Sequence, residues 1–173
     1  MHDNSRKLIQ SFFDTELRAH GKVGGDVLDV GSMNVNGSYR EYFPAPDWNV
    51  FGVDIREGDG VDQVVPESCK WDLERKFDVV VCGQTLEHCR YPWVLMKTVG
   101  RHMKVGALLY LSTPFCWPRH SHPRDFYRFS ADGLWVMVQQ AGCKGLRKEQ
   151  HNVGFTDHRS YYEEAIATGI RRR

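Results

Sequence analysis

The sequence lacks any long apolar run. No stretch approaches the ~20 consecutive apolar residues of a membrane-spanning helix, and the first residues, MHDNSRK, lack the apolar core of a signal peptide. It also lacks an excess of charge, since 23 Lys and Arg against 22 Asp and Glu give a formal net charge of +1. We therefore expect a cytoplasmic protein with no membrane partner and no DNA partner.

Paired cysteines are missing too. The chain has 5 cysteines, an odd number, and none are spaced as C-x-x-C. This argues against a disulfide framework and a structural zinc site, so we expect reduced, buried thiols. No repeat, linker or low-complexity tract interrupts the 173 residues, a length that suits about one domain. We predict a single domain over residues 1–173.

Apolar residues at helical spacing predict a lead-in helix within residues 1–21: Leu8, Ile9, Phe12, Phe13 and Leu17. Asn4 or Ser5 is available as its N-cap and Gly21 as its stop. Pro92 suits the first turn of a later helix, which Gly106 should end, and Ser130 is a good N-cap for a third. These features predict helices on both sides of the strands described next.

Short apolar runs predict strands over residues 26–31, 50–55, 62–65, 77–82 and 107–113, with weaker candidates at 146–152 and 165–170. A brief helix is predicted over residues 38–43. Strands that alternate with helices are typical of an α/β protein with an open, mostly parallel sheet. The ligand site of such a sheet lies beyond the carboxyl ends of the strands.

The loop after the first predicted strand, residues 29–38, reads DVGSMNVNGS and is rich in small residues. Small residues let a backbone approach a ligand closely. The loop lacks the G-x-x-x-x-G-K-[ST] pattern of a P-loop, and Met33 stands where the dinucleotide fingerprint needs its second glycine. By itself the loop is also compatible with a tight turn that binds nothing.

Asp54 ends the second predicted strand, 23 residues after Gly31. An acidic side chain there can accept hydrogen bonds from both hydroxyls of a ribose. The loop and this aspartate together indicate a ribose-containing ligand.

Four segments in this order, VLDVGS with NGS, GVDIREGDGVD, FDVVVCGQTLEH and GALLYLSTPF, resemble class I S-adenosylmethionine-dependent methyltransferases, in particular the small type 11 domains. The resemblance covers roughly residues 23–143. It implies a Rossmann-like three-layer sandwich with a mostly parallel seven-stranded sheet and an antiparallel last strand at residues 165–170. It also implies S-adenosylmethionine as cofactor and S-adenosylhomocysteine as product.

By the same resemblance, the first loop would line the methionine end of the cofactor, Asp54 would hold the ribose, and the end of the fourth strand would pass near the sulfonium. The expected cofactor-binding residues are Asp29, Gly31, Ser32, Asn34, Asn36, Gly37, Asp54, Ile55, Cys82, Gly83 and Gln84. Pro66-Glu67-Ser68 stands where the family places an acidic residue for the adenine amine.

Residues 114–129 combine prolines, aromatics, His, Arg and Asp after the fifth predicted strand, and we expect this segment to form the substrate-side wall. His122, Asp125 and Tyr127 are the expected acceptor-facing, catalytic residues, with His122 as base. Packing onto the sheet is the plainer role for the aromatics. His120, His122 and Asp125 are an alternative set of metal ligands, but we expect no metal.

The predicted function is methyl transfer to an oxygen or nitrogen of a small-molecule or carbohydrate-like acceptor. His88, in the segment Leu86-Glu87-His88, is expected to orient the backbone rather than act as a base. A module that binds the cofactor without catalysis and an NAD-dependent oxidoreductase are the alternatives that the sequence leaves open.

Overall fold

Seven strands form one sheet at the centre of the protein. The computed structural model describes residues 3–121, 123–155 and 161–173. The strands are β1 (Gly25–Val30), β2 (Trp48–Asp54), β3 (Gln63–Val64), β4 (Phe77–Gly83), β5 (Met103–Cys116), β6 (Cys143–Phe155) and β7 (Tyr161–Arg171). The α-helices are α1 (Asp3–Phe12), α2 (Pro92–Arg101) and α3 (Ala131–Gln140).

The spatial order of the strands is β3-β2-β1-β4-β5-β7-β6. β1 runs parallel to β2 and β4, β3 parallel to β2, and β5 parallel to β4. β7 runs antiparallel to both β5 and β6. The predicted α/β fold, with a mostly parallel seven-stranded sheet and an antiparallel last strand, is confirmed.

Side chains alternate between the two faces of the sheet, as the strand period of two requires. In β4, Val79 and Val81 pack on the α1 side, whereas Val80 and Cys82 pack on the side of α2 and α3. All four are completely buried. Helices therefore cover both faces, which makes three layers and explains why β4 reads as a continuous apolar run.

The lead-in helix forms on the predicted face. Leu8, Ile9, Phe12 and Leu17 are buried against the sheet, and the Phe12 ring centroid lies 5.2 Å from that of Tyr110 in β5. A π-helical turn, Phe13–Leu17, continues α1. Burying an aliphatic or Phe side chain contributes about 1.5–3 kcal/mol, so this face anchors the segment.

Two local predictions were wrong. Helix α1 begins at Asp3, so Asn4 and Ser5 do not cap it, and their side chains donate instead to Glu164 of β7. Gly106 does not end α2, which stops at Arg101; it lies inside β5 with φ +77, where the pairing with β4 shifts register. The predicted cap of α3 is confirmed, because Ser130 accepts a hydrogen bond from the Gly133 amide.

The order of the strands determines where a ligand can enter. β2 and β3 lie on one side of β1, whereas β4 lies on its other side. The order in which strands are added to the sheet therefore reverses direction between β1 and β4. A crevice forms at the carboxyl ends of strands at such a point. The candidate site lies there.

Candidate functional site

A cavity of about 300 Å³ opens at the carboxyl ends of β1, β2 and β4. Most of the predicted cofactor-binding residues line it: Asp29, Gly31, Ser32, Asn36, Gly37, Asp54, Ile55, Gly83 and Gln84. They come from three loops that are far apart in sequence and meet because parallel strands end at the same edge.

The loop after β1 is held against its neighbours at Gly31. The amides of Gly31 and Ser32 both donate to the Val53 carbonyl, at 2.8 and 3.1 Å. Gly31 has φ +77, and a Cβ atom there would lie 2.1 Å from Thr85 Oγ1. Only glycine combines this conformation with so close an approach, so the loop can lie directly on the loop that follows β4.

Asp54 lies at the tip of β2, beside this loop. Its Oδ2 accepts a hydrogen bond from the Met33 amide and its Oδ1 one from the Arg56 amide, each at 3.2 Å. The carboxylate is only partly buried and lines the cavity. It thus has a fixed position and retains acceptor capacity for hydroxyl groups of a ligand.

Asp29 lies deeper, at 3% exposure. Burial raises the pKa of its carboxyl to about 7; Arg40 opposes the shift, and Asp54 and Asp62 add to it. The Arg40 guanidinium is itself engaged by Asp62, at 2.6 Å. Asp29 can therefore offer the cavity either a carboxylate or a carboxylic acid near neutral pH.

Gln84 is positioned by a buried carboxylate that the sequence analysis missed. The amide Nε2 of Gln84 donates to Ser112 Oγ at 3.0 Å and to Glu164 Oε1 at 2.9 Å. The other oxygen of Glu164 accepts from Ser5 and Asn4 of α1. The only sequence signal was an acidic residue at the start of the apolar segment AIATGI.

Two predicted cofactor-binding residues are not part of the cavity wall. Asn34 shapes the loop from within, because its Oδ1 accepts from the Gly37 amide and its Nδ2 donates to Asp59, both at 2.9 Å. Cys82 points into the core between the sheet and the helices α2 and α3, and burial raises the pKa of its thiol.

Two of the three predicted catalytic residues, Asp125 and Tyr127, do not line the cavity. His122 lies outside the described residues. Asp125 forms a two-pronged pair with Arg128 and accepts from the His120 amide at 2.8 Å, and the bonds from Arg128 hold the pKa of Asp125 well below its usual value. The Tyr127 hydroxyl donates to the Arg90 carbonyl at 3.1 Å. Asp125 and Tyr127 thus hold the segment in place, and neither lines the cavity.

Two other histidines line the cavity instead, His88 and His120. Their ring centroids are 4.9 Å apart at an interplanar angle of 83°. Between them lies Glu87, which is 0% exposed, and neither of its carboxyl oxygens has a hydrogen-bond partner on another described residue. Burial raises the pKa of Glu87 to about 8.

The backbone role expected of this segment is also present, since the Glu87 carbonyl accepts from the amides of Phe126 and Tyr127, at 2.8 and 3.3 Å. On the β3 side of the cavity, Pro66 and Glu67 line the wall with Cys69 and Cys89, whose sulfur atoms are 3.1 Å apart. None of the helices among the described residues is long and apolar enough to cross a membrane.

A family model described as a methyltransferase domain matches residues 2–159. No curated protein matches the sequence. Solved structures do match the fold, at low sequence identity.

An S-adenosylmethionine-dependent methyltransferase from Clostridium acetobutylicum ATCC 824 has a TM-score of 0.66 at 12% identity, over 94% of this chain and 90% of that one. A 1,6-didemethyltoxoflavin-N1-methyltransferase from Burkholderia thailandensis, with bound 1,6-didemethyltoxoflavin and S-adenosylhomocysteine, has a TM-score of 0.68 at 15% identity, over 97% and 87%. The N-terminal domain of EvdMO1, in the presence of S-adenosylhomocysteine and D-fucose, has a TM-score of 0.63 at 18% identity, over 99% and 84%.

Proposed function

Because this chain belongs to the methyltransferase domain family, we propose that it transfers a methyl group from S-adenosylmethionine to an oxygen or nitrogen of a small-molecule or carbohydrate-like acceptor. The observation that carries the proposal is the cavity at the ends of β1, β2 and β4, whose wall contains most of the residues that the sequence motifs single out.

The residues present fit such a cofactor. The cavity of about 300 Å³ is lined by the carboxyl-bearing residues Asp29 and Asp54 and by the small residues of the loop after β1, which let a ligand approach the backbone closely. Asp54 is suited to the ribose hydroxyls, and Ile55 beside it offers an apolar surface to the base. Asp29 and the loop after β1 would face the methionine end, with Asn36 and Gly37 in its wall.

When bound, the cofactor supplies an activated methyl group: the acceptor lone pair forms a bond to the methyl carbon as the carbon–sulfur bond breaks, and that electron pair stays on sulfur. The protein mainly aligns the two reactants, an effect worth up to about 7–11 kcal/mol. Gly83 and Gln84, at the end of β4, would position the donor end.

A hydroxyl or protonated amine must also lose a proton, which passes to a base or to water. His122 stays the predicted base. In this proposal Asp125 and Tyr127 act indirectly, since they hold the segment that carries His122 through Arg128 and the Arg90 carbonyl.

Two similar structures support a small acceptor, because one contains 1,6-didemethyltoxoflavin and the other was determined in the presence of D-fucose. Both are similar to this chain in fold only. The proposal therefore extends to the class of acceptor and not to either compound.

The first test is calorimetric titration of the purified protein with S-adenosylmethionine, S-adenosylhomocysteine and NAD. We expect saturable binding of the two adenosyl-sulfur ligands and none of NAD. Asp54→Ala should weaken their binding at least about 10-fold, since a hydrogen bond to a charged group contributes about 1.5–3 kcal/mol.

Asp132→Ala is the matched control, because it removes the same charge from an exposed position on α3 and should leave the affinity unchanged. Binding of NAD alone would favour the oxidoreductase. Binding without methyl transfer to any acceptor fraction would favour the cofactor-binding module.

A further inference from the structure

Glu87, His88 and His120 converge in a way that methyl transfer does not explain. One ligand-type atom from each lies within 4.8 Å of the others. Glu87 Oε1 is 3.6 Å from His88 Nε2 and 4.0 Å from His120 Nε2. Both distances are too long for a hydrogen bond. The carboxylate thus faces two imidazole rings with a gap between them.

The gap has the size of a shared ion. Two atoms that each lie about 2.1 Å from one ion are at most about 4.2 Å apart, so both measured distances fall within reach of a single cation. The three ligand-type atoms lie within 4.8 Å of one another, so side-chain adjustments on the order of 1 Å would bring all three to bonding distance of one ion.

The histidine rings are oriented as metal ligands are. His88 Nδ1 lies 2.6 Å from the carbonyl oxygen of Arg124, and His120 Nδ1 lies 3.3 Å from that of Pro118. A carbonyl only accepts, so in the neutral form of each ring Nδ1 carries the proton and the lone pair is on Nε2, the atom that faces Glu87. A backbone carbonyl on the second nitrogen is the usual support of a metal-binding histidine.

The charge of the buried Glu87 carboxylate also favours a bound cation. Glu87 is fully buried, and the guanidinium of Arg128 is engaged by Asp125 in a two-pronged pair. A buried carboxyl with no hydrogen bond from another residue is costly unless a cation or a proton compensates it. A divalent ion would compensate the charge of the Glu87 carboxylate and would bind the Nε2 lone pairs of the two imidazoles.

We propose that Glu87, His88 and His120 hold a divalent first-row transition-metal cation, such as Zn²⁺, at the β4 side of the cavity. Two imidazoles and one carboxylate are a donor set that such ions accept, and three protein ligands leave coordination positions open. Because His88 and His120 line the cavity, the ion would lie at its wall.

The test is titration of tag-free protein, dialysed against a chelator and then against chelator-free buffer at neutral pH, with ZnCl₂ in a calorimeter. We expect saturable binding of one ion per chain. Glu87→Gln and His120→Ala should each weaken the affinity at least about 10-fold, the lower end of the effect seen even for residues that only support a ligand.

Two control variants address competing zinc sites. His151→Ala removes a histidine whose Nε2 lies 2.6 Å from Glu149, a pair that forms no metal-type cluster with a second imidazole among the described residues, and Cys69→Ser removes a thiol from the pair with Cys89. Both should bind zinc as the wild type does. Loss of binding in Cys69→Ser with retention in Glu87→Gln would overturn the proposal and assign the ion to the thiols.

Thermal unfolding distinguishes a variant that has lost zinc binding from a variant that has failed to fold. Zinc should raise the Tm of the wild type and not that of Glu87→Gln, because an ion that binds only the folded chain stabilises it by mass action. Without zinc, Glu87→Gln should be at least as stable as the wild type, since it removes an ionisable group from a buried position. A wild type whose Tm and heat signal do not respond to zinc would contradict the proposal.

The same samples are titrated with S-adenosylmethionine. Cofactor binding without zinc binding would overturn only the metal site, and zinc binding without cofactor binding would overturn only the proposed function.

Discussion

Glu164 links helix α1 to the cavity through hydrogen bonds on both of its carboxyl oxygens. It is 4% exposed and accepts hydrogen bonds from Gln84 and Ser112 on one oxygen and from Ser5 and Asn4 on the other. A carboxylate is the only side chain that offers acceptors alone in both directions. It therefore couples helix α1 to Gln84 at the cavity.

We predict that Glu164→Gln destabilises the protein by about 1–3 kcal/mol, because the new NH₂ group faces donors on one of the two sides and leaves buried groups unpaired. Affinity for S-adenosylmethionine should fall as well, because Gln84 loses its fixed orientation. Urea unfolding and calorimetric titration measure the two effects.

Glu163→Gln is the control next to it. Glu163 points to the other face of β7 and accepts from Gln150 at the surface, at 2.6 Å. Its stability should stay within about 0.5 kcal/mol of the wild type. Equal effects of the two substitutions would contradict the role given to Glu164.

At the scale of elements, the segment 114–129 forms part of the site wall, and contacts between its side chains determine its shape. Residues Pro114–Cys116 continue β5, and the rest has no regular structure up to Ser130 among the residues that can be described. The pair between Asp125, with a side chain 3% exposed, and Arg128 closes it into a loop. The loop then docks on the Glu87 carbonyl.

Arg128→Gln should open this loop without unfolding the sheet. The substitution leaves a buried Asp125 without its guanidinium, a loss of about 1.5–3 kcal/mol and hence a roughly 10-fold or larger rise in the open population. Limited trypsin digestion, read by mass spectrometry for cleavage after Arg119 or Arg124, measures it.

Arg6→Gln removes an equivalent charge from an exposed pair with Glu41 and should leave the cleavage rate unchanged. If both variants are cleaved at the wild-type rate, the ion pair does not hold the loop.

At the scale of the whole molecule, the two edges of the sheet have different electrostatic roles. The carboxyl edge carries the cavity, with Asp29 and Glu87 buried and the pKa of each carboxyl raised by that burial. The opposite edge carries a compensated cluster in which Lys104 Nζ lies 2.7 Å from Asp78 and 3.2 Å from Asp26. The second edge stabilises the fold, and the first holds groups available to a ligand.

This difference predicts a pH-dependent stability. Burial alone would raise the pKa of Asp78 and of Asp26, but the bonds they accept, from Lys104 among others, outweigh it, so both values lie below the usual range. The stabilisation is complete above about pH 5 and is lost as the pH falls through the folded-state values. Lys104→Met should therefore cost about 0.5–1 kcal/mol at pH 7 and much less near pH 3.

Urea unfolding at several pH values checks this, with Lys148→Met, which alters an exposed pair with Asp132, as the control. A Lys104→Met deficit that stays constant from pH 7 to pH 3 would exclude the cluster as its source.

The order of elements could be predicted from the sequence because it depends on local patterns. The apolar runs of β4 and β5, the face of α1 and the Ser130 cap are set by residues close together in the chain. Gly31 and Asp54 could be placed in the site for the same reason, since strand ends of a parallel sheet meet. The family motifs lie on these same segments.

Only the tertiary structure decided which polar side chains meet. Glu164 reaches Gln84 across 80 positions, and His120 reaches Glu87 across a loop whose path depends on the Asp125–Arg128 pair. Cys82 and Asn34 follow the motifs but face the core and their own loop. Local periodicity determines which residues form strands and helices, whereas packing between distant segments determines which carboxylates are paired and which are left to a ligand.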